Sequence, residues 1–444
     1  MKKESVLKFP DLAQWIIDQT KKAGAQECRV SLSKTRFVQI DYRDRKPENI
    51  KEATTQQVGL EVILNKRYAA QSTPDMRQST LSGFIEDVVA NAGIMEEDPY
   101  RSLPDPELYK GRNTADLQLS DPDYTQLTPE IRHEMVKTAE DACFQGGGDK
   151  VISVESGEYD QFHEEYIMSS NGFEDSSKGT VCQIGVVMTA KDEGDRKPAG
   201  YCYATSRFRN DLPEMKFIGA DAAKRTLDLL GAKKIPTAKI PVVIENRVAE
   251  RLIGDLAYPL TGASIQQKRS FLADKKGQKV GSNLLTVTDD PMIPRGLGSR
   301  YYDSDGFPGK RREIFTEGVL NDFIIDWYYS RKLELAPTGG STSNIIIQPG
   351  KRSLDELLKD LPRCILITGF IGGNCNSTTG DFSVGIFGKL FEKGQPVQSI
   401  AEMNIADNHL NFWNKLAEVA NDTWVYSSIR TPSLLFNDVV VSGI

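Results

Sequence analysis

The chain is expected to fold as an α+β protein of two domains, helices with antiparallel hairpins first and a strand-rich part second. Three observations predict this. Its 444 residues are more than one hydrophobic core usually organises. Helical and strand-like hydrophobic periods are mixed without the regular β-α-β alternation of a parallel sheet. Turn signals such as Asn171-Gly172 sit between strand-like runs, which marks hairpins. The boundary is placed near residue 235, giving an N-terminal domain at 1–235 and a C-terminal domain at 236–444.

The elements follow in order. In "FPDLAQWIIDQTKKAG" Pro10 occupies a first turn and Leu12, Trp15 and Ile16 share one face, which reads as an amphipathic helix. "CRVSLS" and "GLEVILNKRYAAQST" run apolar or alternate as strands do, and "LSGFIEDVVANA" returns to helical spacing. A polar, proline-bearing stretch from Glu96 to Tyr124 reads as a surface loop. In "TPEIRHEMVKTAEDACFQGGGDK" Thr128 suits the N-cap, Pro129 the first helical position, and Gly146 to Gly148 the end. "YIMSSNGFED", "TVCQIGVVMTAK" and "AGYCYATSRF" supply strands, and "LPEMKFIGADAAKRTLDLLGAKK" a closing helix. Beyond residue 235, "GVLNDFIIDWYY", "NIIIQPG" and "LFNDVVVSG" read as strands. "SLDELLKDLP" reads as a helix capped by Ser353 and stopped by Pro362.

Composition narrows the function classes. Hydrophobic residues at 39% and charged ones at 26% are those of a globular protein. No apolar run reaches the roughly 20 residues of a membrane span, and "MKKESVLKFPDLAQW" lacks the apolar core of a leader, so a cytoplasmic location without membrane attachment is expected. The six scattered cysteines form no C-x-x-C pair and read as reduced thiols. A net charge of −7 argues against direct nucleic-acid binding. The basic run "GKRRE" at 309–313 reads as a solvated loop.

Self-sufficient chemistry is sparse. Only three histidines are present. His163-Glu164 is followed by no histidine at zinc-motif spacing and sits in a strand pattern. His133 falls on the polar face of its helix and reads as a surface residue. His409 in "ADNHLNFW" reads as capping or loop packing. Cys375 reads as a loop thiol of ordinary reactivity, since nothing adjacent in sequence depresses its pKa. There is no G-x-S-x-G elbow and no P-loop. "APTGGSTSNIII" offers groups that could cradle an anion, or simply a turn before a strand.

Several longer stretches nevertheless resemble the TldD/PmbA family: Leu260–Gly306, "APTGGSTSNIIIQPG", "TTGDFSVGIFG", "SSIRTPSLLFNDVVVSG" and, earlier, "GLEVILNKRYAAQSTPD" and "DPYRSLPDP". The motifs occur in the family's order and span nearly the whole chain. The resemblance implies one of two arms. TldD-type members carry an H-E-x-x-x-H zinc motif and a cysteine ligand near the C-terminus, and act as peptidases. PmbA-type members, also called TldE, lack those ligands and pair with a TldD partner; they were first named as modulators of DNA gyrase and are linked to microcin maturation and antitoxin turnover.

Set against that motif, "ENRVAERLIGDLAYPL" puts Gly254 and Pro259 at the two histidines and Asp255 at the glutamate, and "NDTWVYSSIRTPSLLF" supplies no cysteine. The resemblance therefore implies a PmbA/TldE-like subunit with no metal or catalytic residue of its own, with zinc in a TldD-type partner and unfolded peptide as substrate. A homodimer is a further expected assembly. Thr379, Gly380, Asp381, Phe382 and Ser383 are the candidate peptide- or partner-facing residues, forming a strand edge that an extended peptide can join. The same residues equally suit a tight turn with Phe382 packed inward. Two rival functions remain open at this level: a self-sufficient hydrolase using Cys375 or His409, and a binding module acting on gyrase or a toxin–antitoxin partner.

Overall fold

The computed structural model describes residues 7–443; Met1–Val6, most of the basic start read above, lie outside the described residues. The fold is α+β, with helices laid against largely antiparallel sheets. No helix among the described residues is long and apolar enough to cross a membrane.

The first part is built on a six-stranded antiparallel sheet. Its strands are β1 (Glu27–Arg43), β2 (Lys46–Leu64), β3 (Arg67–Thr73), β4 (Val151–Ser169), β5 (Glu174–Ala190) and β6 (Ala199–Ser206), in the order β3-β2-β1-β4-β5-β6. The predicted strands are present but much longer than their apolar cores. β2 carries 19 residues, and its outer half, Lys46–Gln57, is exposed at nearly every position, so no alternating burial marks it in the sequence.

Four helices cover this sheet. α1 (Phe9–Lys22) and α2 (Gln78–Ile94) bury Leu12, Ile16, Leu81, Ile85 and Val88 against Val30, Leu32, Val58 and Leu60. α3 (Pro129–Gly147) and α4 (Met215–Leu227) cover the other half through Val136, Ala139, Ile218 and Ala222 against Ile184 and Val186. Gly219 lets these two helices touch, since a Cβ there would lie 1.8 Å from the Ala139 carbonyl oxygen. His133, expected on the solvated face of α3, is half-buried, with Nδ1 2.9 Å from the Tyr42 hydroxyl. The strands next to the helix cover what would otherwise be its polar side.

The second part begins with β7 (Ala238–Ile244) and α5 (Asn246–Ala257), followed by the short α6 (Gly262–Gln266). A small sheet then uses β8 (Val287–Asp289), β9 (Arg312–Thr316), β10 (Val319–Leu320) and β11 (Ile345–Ile347), with α7 (Trp327–Leu333) between the last two. "GVLNDFIIDWYY" thus forms only a two-residue strand. Ile324 and Ile325 are buried without joining a ladder, and Asp326 caps α7 by accepting from the Tyr329 N–H. After α8 (Leu354–Asp360), with its Ser353/Glu356 capping box, come β12 (Arg363–Cys375), β13 (Asp381–Glu392), β14 (Gln395–Asn408), the one-turn α9 (His409–Phe412), β15 (Leu416–Val419), β16 (Ile429–Arg430) and β17 (Leu434–Ser442). β16 joins the small sheet beside β11; the rest form the order β14-β13-β12-β7-β17-β15. An added pairing of β14 with β17 bends this sheet back on itself.

The basic run at 309–313 is not simply solvated. Arg312 is largely buried, 2.7 Å from Asp289, and donates to the Thr338 and Ser341 carbonyls. The glycine-rich turn before β11 therefore presents carbonyl oxygens to a guanidinium, a cation-facing arrangement. Contacts of the same kind join the two parts of the molecule. Arg29 donates to the Ser304 and Asp305 carbonyls, Arg207 to those of Gly296 and Leu297, and the Trp327 indole to that of Ser102.

Candidate functional site

α5 forms because Ala249, Leu252, Ile253 and Leu256 repeat at helical spacing and enter the core. It gives way at Pro259 to a short 3-10 turn over Tyr258–Leu260. Gly254 and Pro259, where the resemblance puts metal ligands, offer no donor atom. A Cβ on Gly254 would meet nothing within 4 Å, so close packing is not what requires glycine there. The residues of this chain do not fit the family's zinc ligand set, and no step through that metal is assigned to them.

The carboxylate between those positions does have company. Asp255 lies on α5, Cys375 ends β12 and His409 opens α9, and their donor atoms fall within 4.8 Å of one another. The His409 Nε2 is 3.5 Å from the Cys375 sulfur and 3.8 Å from an Asp255 oxygen. His409 is 0% exposed. Its ring lies between Phe271, parallel at 5.7 Å, and Phe382, tilted at 4.7 Å. Its backbone N–H donates to the Gly380 carbonyl at 2.8 Å, so ring and backbone are both fixed. His409 does stand at a helix start, as loop packing or capping requires, but it faces a cysteine and an aspartate that the sequence did not place beside it.

Electrostatics say what this group cannot do. Burial lowers the His409 pKa to about 4. Burial, then the Asp255 charge, raise the Cys375 thiol to about 11. Asp255 itself is raised by burial, against the pull of Arg251 one turn earlier. At neutral pH the sulfur keeps its proton and the imidazole is uncharged, the reverse of an activated thiolate–imidazolium pair. A nucleophile relay would also need the carboxylate on the far ring nitrogen. Here cysteine and aspartate both face Nε2, and the buried Nδ1 has no hydrogen-bond partner.

The predicted segment Thr379–Ser383 borders this group. Gly380 has φ +83°, and a Cβ there would come 3.1 Å from the Phe271 ring. Phe382 is 5% exposed and packs edge-on against Phe412 at 5.2 Å. It is also the cross-strand neighbour of both Cys375 and Asp407. The expectation of an open strand edge is corrected here. Phe382 and Ser383 are paired with β12 on one side and β14 on the other, so no free ladder remains for a peptide to join. Thr379 and Asp381 are exposed, bonded to each other at 2.7 Å, and Asn408 ties them down. Ser383 is half-buried beside Asn404.

Sequence and fold comparisons agree with this architecture. Models of the three PmbA/TldA metallopeptidase domains match residues 28–92 (domain 1), 122–230 (central domain) and 237–443 (C-terminal domain). The metalloprotease PmbA of Escherichia coli O157:H7 is 28% identical over 417 residues, covering 93% of this chain and 92% of its own. A crystal structure from Bacteroides thetaiotaomicron, named for a candidate modulator of DNA gyrase, is 36% identical with a TM-score of 0.95, covering 98% of this chain and 99% of its own. TldE from Thermococcus kodakarensis, 18% identical, shares the fold with a TM-score of 0.88, over 97% of this chain and 100% of its own. With all three domain models matched in order along one chain, the protein belongs to the PmbA/TldD metallopeptidase family.

Proposed function

We propose that this chain is the PmbA/TldE-like, non-zinc subunit of a cytoplasmic TldD-type metallopeptidase complex that degrades or processes unfolded peptides. In this reading the TldD-type partner contributes zinc, the activated water and the general base. The observation that carries it is the stretch from α5 into the 3-10 turn after it, where Gly254 and Pro259 have no side-chain donors and a zinc peptidase needs two nitrogen ligands. In the metal-free chain the protonated Cys375 thiol and neutral His409 support the same division of labour, because they leave this group without an activated nucleophile. The exposed tip at Thr379 and Asp381, with Ser383 behind it, is the surface assigned to partner or peptide; Gly380 and Phe382 hold it from beneath.

The test is co-expression with a TldD-type protein of the same organism, followed by size-exclusion chromatography and turnover of an unfolded peptide. A stable hetero-oligomer whose activity disappears on chelation is expected, with this chain alone inactive. Chelator-resistant turnover by the isolated chain, or failure of the two proteins to associate, would overturn the reading.

A further inference from the structure

The geometry points to a divalent-cation site of the chain's own, of the zinc class, made by Asp255, Cys375 and His409. This goes beyond the proposed function and departs from the expectation of a cofactor-free chain. It uses none of the family's histidine positions.

Three features carry it. The first is spacing: tetrahedral zinc with bonds of about 2.0–2.3 Å holds neighbouring donors roughly 3.4–3.6 Å apart. The sulfur–nitrogen separation of 3.5 Å meets that value, and the nitrogen–oxygen separation of 3.8 Å needs only a small inward turn of Asp255. The second is convergence: sulfur and carboxylate face the same ring nitrogen, and all three donor atoms lie within 4.8 Å of one another. The third is rigidity: the buried imidazole is clamped between Phe271 and Phe382 and cannot swing away. Its Nδ1 lacks the outer-shell acceptor that usually orients a ligand histidine, and the two rings take over that orienting task.

The charge balance is that of a neutral centre. On binding, the Cys375 sulfur loses its proton to solvent as the metal–sulfur bond forms. The thiolate and the Asp255 carboxylate then offset two positive charges, with His409 neutral. Of the charged neighbours, Arg251 opposes the cation, while Asp381 and Asp407 favour it. With Asp255 spent as a ligand, the helix keeps no carboxylate at its glutamate position to act as base, so the metal holds α5, β12 and α9 together and does not replace the partner's zinc.

The experiment uses the full chain stripped with chelator and titrated with Zn²⁺ and Co²⁺. One equivalent should bind, and the Co²⁺ form should show a thiolate charge-transfer band in the near ultraviolet. Zn²⁺ should also protect Cys375 from iodoacetamide. That probe is selective, because the other five cysteines are buried and Cys375 is only partly so. Cys375→Ser should abolish the band, and Asp255→Asn, at a partly exposed residue, should weaken binding more than about 10-fold, at least the loss seen for outer-shell changes. Circular dichroism of each variant separates lost ligation from lost folding. No bound metal, or binding that is unchanged in a folded Cys375→Ser variant, overturns the site. Neither result bears on association with a TldD-type partner, which chromatography reads separately.

Discussion

Replacing Phe382 with alanine separates two descriptions of the Thr379–Ser383 segment. If Phe382 were an open contact for peptide, truncation would leave stability within about 0.5 kcal/mol, as for most surface changes. The structure gives a different figure. The ring is 5% exposed and lies against Phe412 and His409, and both its strand neighbours are fixed by ladder pairing. A buried Phe→Ala change costs about 3–5 kcal/mol, and the aromatic pairs put this site in the upper half, at about 4 kcal/mol. Phe382→Leu, which keeps most of the volume, should cost less than about 1.5 kcal/mol. The assay is urea unfolding followed by tryptophan fluorescence. Trp413 reports on the site through Phe436 and Phe412. A loss below about 1 kcal/mol for Phe382→Ala would refute the packing argument.

Three further outcomes are expected. In the metal-free folded chain burial lowers the His409 pKa to about 4 against about 6.5 unfolded, so the unfolded state binds the extra proton between those values. Stability should therefore fall as pH drops from about 6.5 to about 4, by roughly 3 kcal/mol, and His409→Gln should flatten that part of the pH–stability curve. Glu158 is buried with neither carboxylate oxygen hydrogen-bonded, and burial first, then Asp160, raise its pKa to about 9. The folded state thus keeps a proton that the unfolded state loses, stability falls as pH rises from about 4.5 toward 9, and Glu158→Gln should gain over wild type at alkaline pH in thermal unfolding. Gly380→Ala, forced to φ +83° and against Phe271, should cost about 1–2 kcal/mol and lower the thermal midpoint; an unchanged midpoint would contradict the tight turn.

What the sequence made legible was whatever local chemistry encodes. The Thr128–Pro129 start of α3, the Ser353 cap of α8 and the Asn171-Gly172 turn are all where their residues put them. The outer half of β2 was not, because a strand wet on both faces carries no alternation. The segment after β10 misled for the opposite reason: its isoleucines are apolar for burial, but their backbone bonds go to loops and not to a ladder. The Asp255–Cys375–His409 group was invisible as a group. Its members come from three separate elements, so no short spacing announces them, and the polar neighbours Asp407 and Asn408 disguise a fully buried histidine.

The placement of β17 also governs how the second half comes into being. Its residues 434–442 slot between β7, at 238–244, and β15, and also reach β14, so the ring of strands closes only through pairings far apart in sequence. Until then β7 presents a bare hydrogen-bonding edge and an uncovered apolar row, an invitation to stray pairing. Such long-range closure is slow, and trimming even a few residues from this strand should yield insoluble protein where similar cuts at the outer end of β2 would be tolerated.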